Sequence, residues 1–164
     1  MSDSFLPFER AMKELAKRMP GSPVREAILT RLMYHVNARL VEHFDDPLRE
    51  YGLNQTTFTA LGVLYGSPNY SLKPSELSVF MSSSRTNITR VADELVKKGL
   101  VERTPSELDR RQLDLTLTKK GMEFVKRNLP SRRKQHVDLW SAFTAREKAS
   151  FEVLLRKLLA QLGG

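Results

Sequence analysis

Between residues 88 and 96 the apolar side chains fall at Ile88, Val91, Ala92, Leu95 and Val96, the i, i+3, i+4, i+7, i+8 positions of one helix face. The spacing predicts a helix docked on a core, ended by Gly99. Its first turns and opposite face are polar, with Ser82, Ser83, Ser84, Arg85, Thr86, Asn87, Thr89 and Arg90. One hydroxyl is enough for an N-cap, so the remaining polar groups call for another explanation. Upstream, the pattern predicts a short helix over about 5–18, ended by "MPGSP". A long helix then runs from Val24 towards Tyr51 with Ile28, Leu32, Val36, Leu40, Phe44 and Leu48 at every fourth position. Asp46-Pro47 should kink or restart it, and Gly52 suits its C-terminal cap. Asn54 can cap a helix over about 55–66 with Phe58, Leu61 and Leu64 on one side. "SPNYS" reads as a loop, and Pro74 opens a helix in which Leu77 and Phe80 face inward.

After Gly99 the period changes from 3.6 to 2. "LVERT" reads as a strand, and "QLDLTLT" alternates Leu113, Leu115 and Leu117 inward with Gln112, Asp114 and Thr116 outward. "PSELDRR" between them is a polar hairpin loop. Thr118 caps a further helix, bent or interrupted at Pro130 and continuing through Val137, Trp140 and Phe143. Thr144 and Glu147 form a capping-box signature for the last helix, whose Phe151, Leu154, Leu155, Leu158 and Leu162 line one face.

The element order predicts a mainly α chain with a small antiparallel β hairpin, organised as a winged helix-turn-helix plus a helical dimerisation region. Residues 53–118 form the winged helix, and residues 1–52 and 119–164 supply N- and C-terminal dimerisation helices. The dimer follows from area: a winged helix of roughly 90 residues does not cover the apolar face of the last helix, so Phe151, Leu154, Leu155, Leu158 and Leu162 are expected at the interface of a homodimer.

Charge sharpens the picture. The chain of 164 residues carries a formal net charge of +8, a balance suited to a polyanionic partner. The excess lies mainly in residues 112–164, which hold 11 basic and 5 acidic side chains, spaced as a solvated helix face. There is no cysteine, which excludes disulfides and thiolate metal sites. No apolar run approaches the roughly 20 residues of a membrane span, and the N-terminus lacks a secretory pattern, so a cytoplasmic protein is expected, with no membrane partner. His35, His43 and His136 show no metal-ligand spacing, and neither a phosphate loop nor a nucleophile elbow is present. No catalysis, metal or cofactor is therefore expected.

In a helix-turn-helix the second helix enters the major groove with its N-terminal residues against base edges. Ser84, Arg85, Thr86, Asn87, Thr89 and Arg90 occupy that place. Arginine can pair with guanine and Asn with adenine through two hydrogen bonds each. The hairpin tip adds Asp109, Arg110 and Arg111. A guanidinium there can enter a narrow minor groove, and a surface ion pair worth about 0–1 kcal/mol is too weak to explain the cluster. The partner so read is double-stranded DNA. A winged helix used only for protein contacts is the alternative, but such a face favours exposed aromatics over four arginines.

The segments "PSELS", "SSRTNITRVADELVKKGLVER", "DRRQLDLTLTKKG" and "LWSAF" resemble the MarR family of transcription regulators, in particular its multidrug-efflux repressors. The wing signature is met by Asp109, Arg111, Leu117, Thr118 and Gly121. The resemblance implies an obligate dimer on a pseudo-palindromic operator, a repressor of efflux or stress-resistance genes, and release by a small lipophilic or phenolic effector. Residues suited to that effector are Arg31, His35 and Arg39, spaced every fourth residue on one flank of the long helix, with Tyr34, Phe58, Tyr65 and Trp140 as aromatic walls. Without cysteine, the thiol-oxidation mechanism found in the family is excluded.

Overall fold

The computed structural model describes residues 4–106 and 112–163. Its helices are α1 (Leu6–Arg18), α2 (Val24–Asp45), α3 (Gln55–Gly66), α4 (Pro74–Phe80), α5 (Arg85–Lys97), α6 (Lys119–Leu139) and α7 (Ala145–Gln161). Its strands are β1 (Ser71–Leu72), β2 (Val101–Pro105) and β3 (Leu113–Leu117). The chain divides into two compact units, residues 1–59 and 60–164.

In the first unit α1 packs on α2. At Asp46-Pro47 α2 gives way to a 3₁₀ segment, Asp46–Tyr51, closed by Gly52 in the left-handed region at φ 60°. Pro47 cannot donate to the helical ladder, which places the restart there. Asp45 accepts from the Gln55 N–H at 2.6 Å, and the Asn54 side chain caps α3 by accepting from the Thr57 N–H at 2.9 Å. Phe44, Leu48, Leu53 and Phe58 are buried. The stripe of α2 is buried only at this end: Leu32 and Val36, both expected on a core face, are exposed.

The second unit holds the sheet, ordered β1-β3-β2 and antiparallel throughout. Val101 lies opposite Leu117 and Pro105 opposite Leu113, so Val101, Leu115 and Leu117 are buried on the face where α4, α5 and α6 meet the sheet. Leu61, Leu64, Leu77, Ile88, Val91, Leu95, Leu100 and Val125 complete this core. The strand β1 begins at Ser71, the last residue of the stretch expected to be a loop. It follows a 3₁₀ turn in which Asn69 and Tyr70 take positive φ of 53° and 55°, and it pairs Ser71 with Thr116. That pairing brings the expected outward residue Thr116 into hydrogen bonds with Ser71 and Thr104, both at 2.8 Å. Leu113, expected inward, is 48% exposed at the far end of β3.

Gly121 is required by packing. A Cβ there would stand 2.0 Å from the Leu100 carbonyl oxygen, so only glycine lets α6 approach the β2 entrance this closely. Thr118 caps α6 by accepting from the Gly121 N–H at 3.0 Å and donates to the Gly99 carbonyl at 2.8 Å. No break occurs at Pro130, and α6 runs as a single helix through it. Proline forfeits one ladder hydrogen bond, while Asn128 and Ser131 on either side donate to the backbone carbonyls of Phe124 and Asn128. α7 begins with a full capping box between Thr144 and Glu147. The Thr144 N–H and hydroxyl, both donating to the Glu147 carboxylate, hold its pKa below the usual carboxylate value. No residue of α7 is buried.

Candidate nucleic-acid interface

The tight link between α4 and α5 is four residues long. Its Ser82 takes a positive φ of 46°, with the N–H donating to the Val79 carbonyl at 3.1 Å. Ser84 takes an extended conformation, and its hydroxyl accepts from the Asn87 N–H at 3.2 Å, the geometry of an N-cap. From there α5 buries Ile88, Val91, Ala92 and Leu95. Burying a side chain such as Leu95 contributes about 1.5–3 kcal/mol, so this face fixes the rotation of α5 about its axis. The other face is thereby set towards solvent. Arg85, Thr86, Thr89 and Arg90 are exposed and Asn87 is half-buried.

These polar groups are partly linked to one another. Asn87 Nδ2 donates to Ser83 Oγ at 2.8 Å, Arg90 Nη2 donates to Asn87 Oδ1 at 3.1 Å, and Arg90 Nη1 lies 3.6 Å from the Glu94 carboxylate. Thr89 is turned back on the helix, donating to the Arg85 carbonyl at 3.0 Å. A second ion pair, Asp93 to Arg103 at 2.7 Å, ties α5 to β2, a contact that no local sequence pattern announces. At the wing root the Ser106 N–H donates to the Gln112 carbonyl at 2.9 Å. Asp109, Arg110 and Arg111 lie outside the described residues.

One expectation near this face is corrected. Leu77 is buried, but Phe80 is 67% exposed and Val79 beside it 78%. In so short a helix the buried line is carried by Leu77, and Phe80, three residues on, falls past its edge.

The residues expected to hold an effector have protein partners. Arg31 stacks over the Phe8 ring at 5.7 Å, His35 meets Ser4 Oγ at 2.8 Å and the Phe5 ring at 5.8 Å, and Arg39 pairs with Glu42 at 2.8 Å. Tyr34 is exposed and Phe58 buried. Both belong to the first unit. In the second unit Tyr65 packs on Tyr70 and Trp140 on Phe143 and Phe151. Among the described residues no His, Cys, Asp and Glu group fit to hold a metal occurs, and no helix is long and apolar enough to cross a membrane.

Two helices joined by a tight turn, the second presenting a polar face, followed by a two-stranded wing, define a winged helix-turn-helix protein. A MarR family model matches residues 51–112. The chain is 45% identical over 162 residues to the Transcriptional repressor MprA of Escherichia coli K12, spanning 99% of this chain and 92% of that protein. It is 34% identical over 154 residues to the HTH-type transcriptional regulator PrsX of Escherichia coli, spanning 94% and 93%. The chain belongs to the MarR family of transcription regulators. Solved structures agree. A mutant MarR of Escherichia coli complexed with operator DNA is similar with TM-score 0.71 and 28% identity, over 88% of this chain and 96% of that one. Sco3205, a MarR family regulator of Streptomyces coelicolor in complex with DNA, shares the fold with TM-score 0.78 at 23% identity, over 85% and 89%.

Proposed function

We propose that this protein is a dimeric, sequence-specific transcriptional repressor that reads double-stranded DNA with α5 in the major groove and the wing residues Asp109, Arg110 and Arg111 at the minor groove. The observation that carries this reading is the first turn and a half of α5. Ile88, Val91, Ala92 and Leu95 are buried, so the exposure of Arg85, Thr86 and Arg90 is fixed by the core and not by side-chain choice. The repressor role is supported by the similarity to MprA, a transcriptional repressor. Two-fold pairing is supported by the apolar face of α7 and its cap, where Phe151, Leu154, Leu155, Leu158 and Leu162 remain exposed. A dimer of helix-turn-helix units matches half-sites about one helical turn apart.

Release by a small aromatic effector is part of the proposal. Arg31 over Phe8 is already a cation–ring pairing, and a ring bearing a carboxylate or phenolate suits the same guanidinium. Such a compound acts only through a difference in affinity between the free and DNA-bound forms.

The test is equilibrium binding to a duplex from the protein's own upstream region at two salt concentrations, with Arg90→Ala and an Arg110→Ala/Arg111→Ala double variant. Arg90→Ala should lower specific affinity by about tenfold, equivalent to about 1.4 kcal/mol and within the range of one bidentate base contact. The wing double variant should weaken binding to all sequences and flatten the salt slope by about 1 per lost phosphate contact. Binding to no duplex, even at low salt, would leave the fold as a protein-interaction module. A parallel titration of the preformed complex with salicylate-like compounds, showing no release at millimolar level, would remove the effector.

A further inference from the structure

A chain of four side chains in contact runs from the link before α5 along the helix: Ser83, Asn87, Arg90 and Glu94, with Arg90 exposed and the other three half-buried. Asn87 and Arg90 are of the types that read one base through two hydrogen bonds. Ser83 and Glu94 each contact one of them. An Asn amide has two faces of opposite character, and which one meets the DNA depends on its partners. Arginine only donates, so the atom of Asn87 facing Arg90 must be Oδ1, which places Nδ2 against the Ser83 hydroxyl. After these two bonds the amide keeps one N–H and one oxygen lone pair. That residual pair, donor beside acceptor, complements the N7 acceptor and N6 donor of adenine, the one single base that presents both in the major groove.

Arg90 has the reverse problem. An exposed guanidinium near a polyanion is drawn to the nearest phosphate, which raises affinity for every sequence alike. Asn87 Oδ1 holds it from one side and Glu94, four residues on and 28% exposed, from the other. The Glu94 carboxylate also repels phosphates on the face that approaches DNA. A charge of the wrong sign there acts against unspecific partners more than against a site where Arg90 is engaged.

We propose that Ser83 and Glu94 are positioning residues for base readout. Ser83 locks the Asn87 amide in the orientation that selects adenine, and Glu94 keeps Arg90 off the phosphates so that it reads a guanine near that adenine. This rests on the reading of α5 as the recognition helix, and the experiment separates the two. Wild type, Arg90→Ala, Glu94→Gln and Ser83→Ala are compared on the operator duplex, on a scrambled duplex, and in selection from a randomised duplex pool, with thermal melting of each variant alone.

Glu94→Gln should raise affinity for the scrambled duplex about three- to tenfold and lower the operator-to-scrambled ratio by at least that factor, and steepen the scrambled salt slope by about 1. Ser83→Ala should keep overall affinity within about threefold yet lose the adenine preference in the selected pool. A residue that only supported the helix would lower the melting temperature and weaken both duplexes together, and that result overturns the proposal. Unchanged scrambled affinity for Glu94→Gln, or an unchanged selected motif for Ser83→Ala, overturns the corresponding half. If Arg90→Ala also binds the operator as wild type does, the assignment of α5 itself fails.

Discussion

Helices α5 and α7 obey the same local rules and end in different circumstances. Each starts from a hydroxyl cap, Ser84 and Thr144 respectively, and each carries an apolar stripe at helical spacing. On α5 the stripe is covered, with Ile88, Val91, Ala92 and Leu95 all at 2% exposure or less. On α7 nothing is buried, and Leu154 and Leu162 are 63% and 77% exposed. The pattern of a helix therefore states that a face will be covered without stating by what. For α5 the cover comes from the same chain, through α4 and β2. For α7, under the proposed function, it comes from a second copy.

The covered side can be broken most severely at Gly121. Gly121→Ala places a methyl into the Leu100 carbonyl, where the neighbour is backbone and cannot rotate away. A loss of at least about 3 kcal/mol is expected, at the upper end of overpacking costs, and denaturant unfolding of the variant measures it. A smaller effect, of a different kind, is expected on the uncovered side. Leu158→Glu should leave the melting of the winged helix within about 1 kcal/mol, since an exposed site loses little burial. It should also convert a dimer into a species of half the mass by sedimentation, with a fall in DNA binding alongside. An unchanged mass would place the two-fold contact elsewhere. The smallest effect is expected at the turn between the two helices of the motif. Ser82 holds a left-handed conformation at φ 46° that glycine adopts without a Cβ penalty, so Ser82→Gly should raise stability by about 0.5–1 kcal/mol, read as a higher melting temperature.

Much of the fold was legible because its signals are local. The caps at Asn54, Thr118 and Thr144, a cap from one of Ser82, Ser83 and Ser84, the restart at Asp46-Pro47 and the change of period after Gly99 each depend on residues a few positions apart, and each appears in the structure. What could not be read depends on partners distant in the chain. Two residues cannot show an alternation, and β1 exists because Ser71 and Leu72 find Thr116 and Leu115. Thr116, polar and so expected to face water, is joined by hydroxyls from two other strands. The Asp93–Arg103 pair links positions on a helix and a strand, and the ring contacts of Arg31 and His35 link α2 to residues near the start of the chain. At the interface the residue types on α5 were readable. Their mutual hydrogen bonds were not, because periodicity carries no information about rotamers.

The junction at Thr118 has a mechanical meaning. Its hydroxyl holds Gly99 and caps α6, the Thr118 N–H donates to the Leu100 carbonyl at 3.1 Å, and Lys120 Nζ reaches the Lys98 carbonyl at 2.8 Å. With Gly121 seated on Leu100, the first turn of α6 is clamped to the hinge between α5 and β2. A helix of 21 residues is about 31 Å long at 1.5 Å per residue. One end of this rod is fixed against the winged helix and the other lies at Trp140. Tilting such a rod by about 10° moves its end by about 5 Å on that length, comparable with a single turn of helix. A small angular change at the fixed end therefore becomes a translation that packed side chains at the other end either accept or refuse.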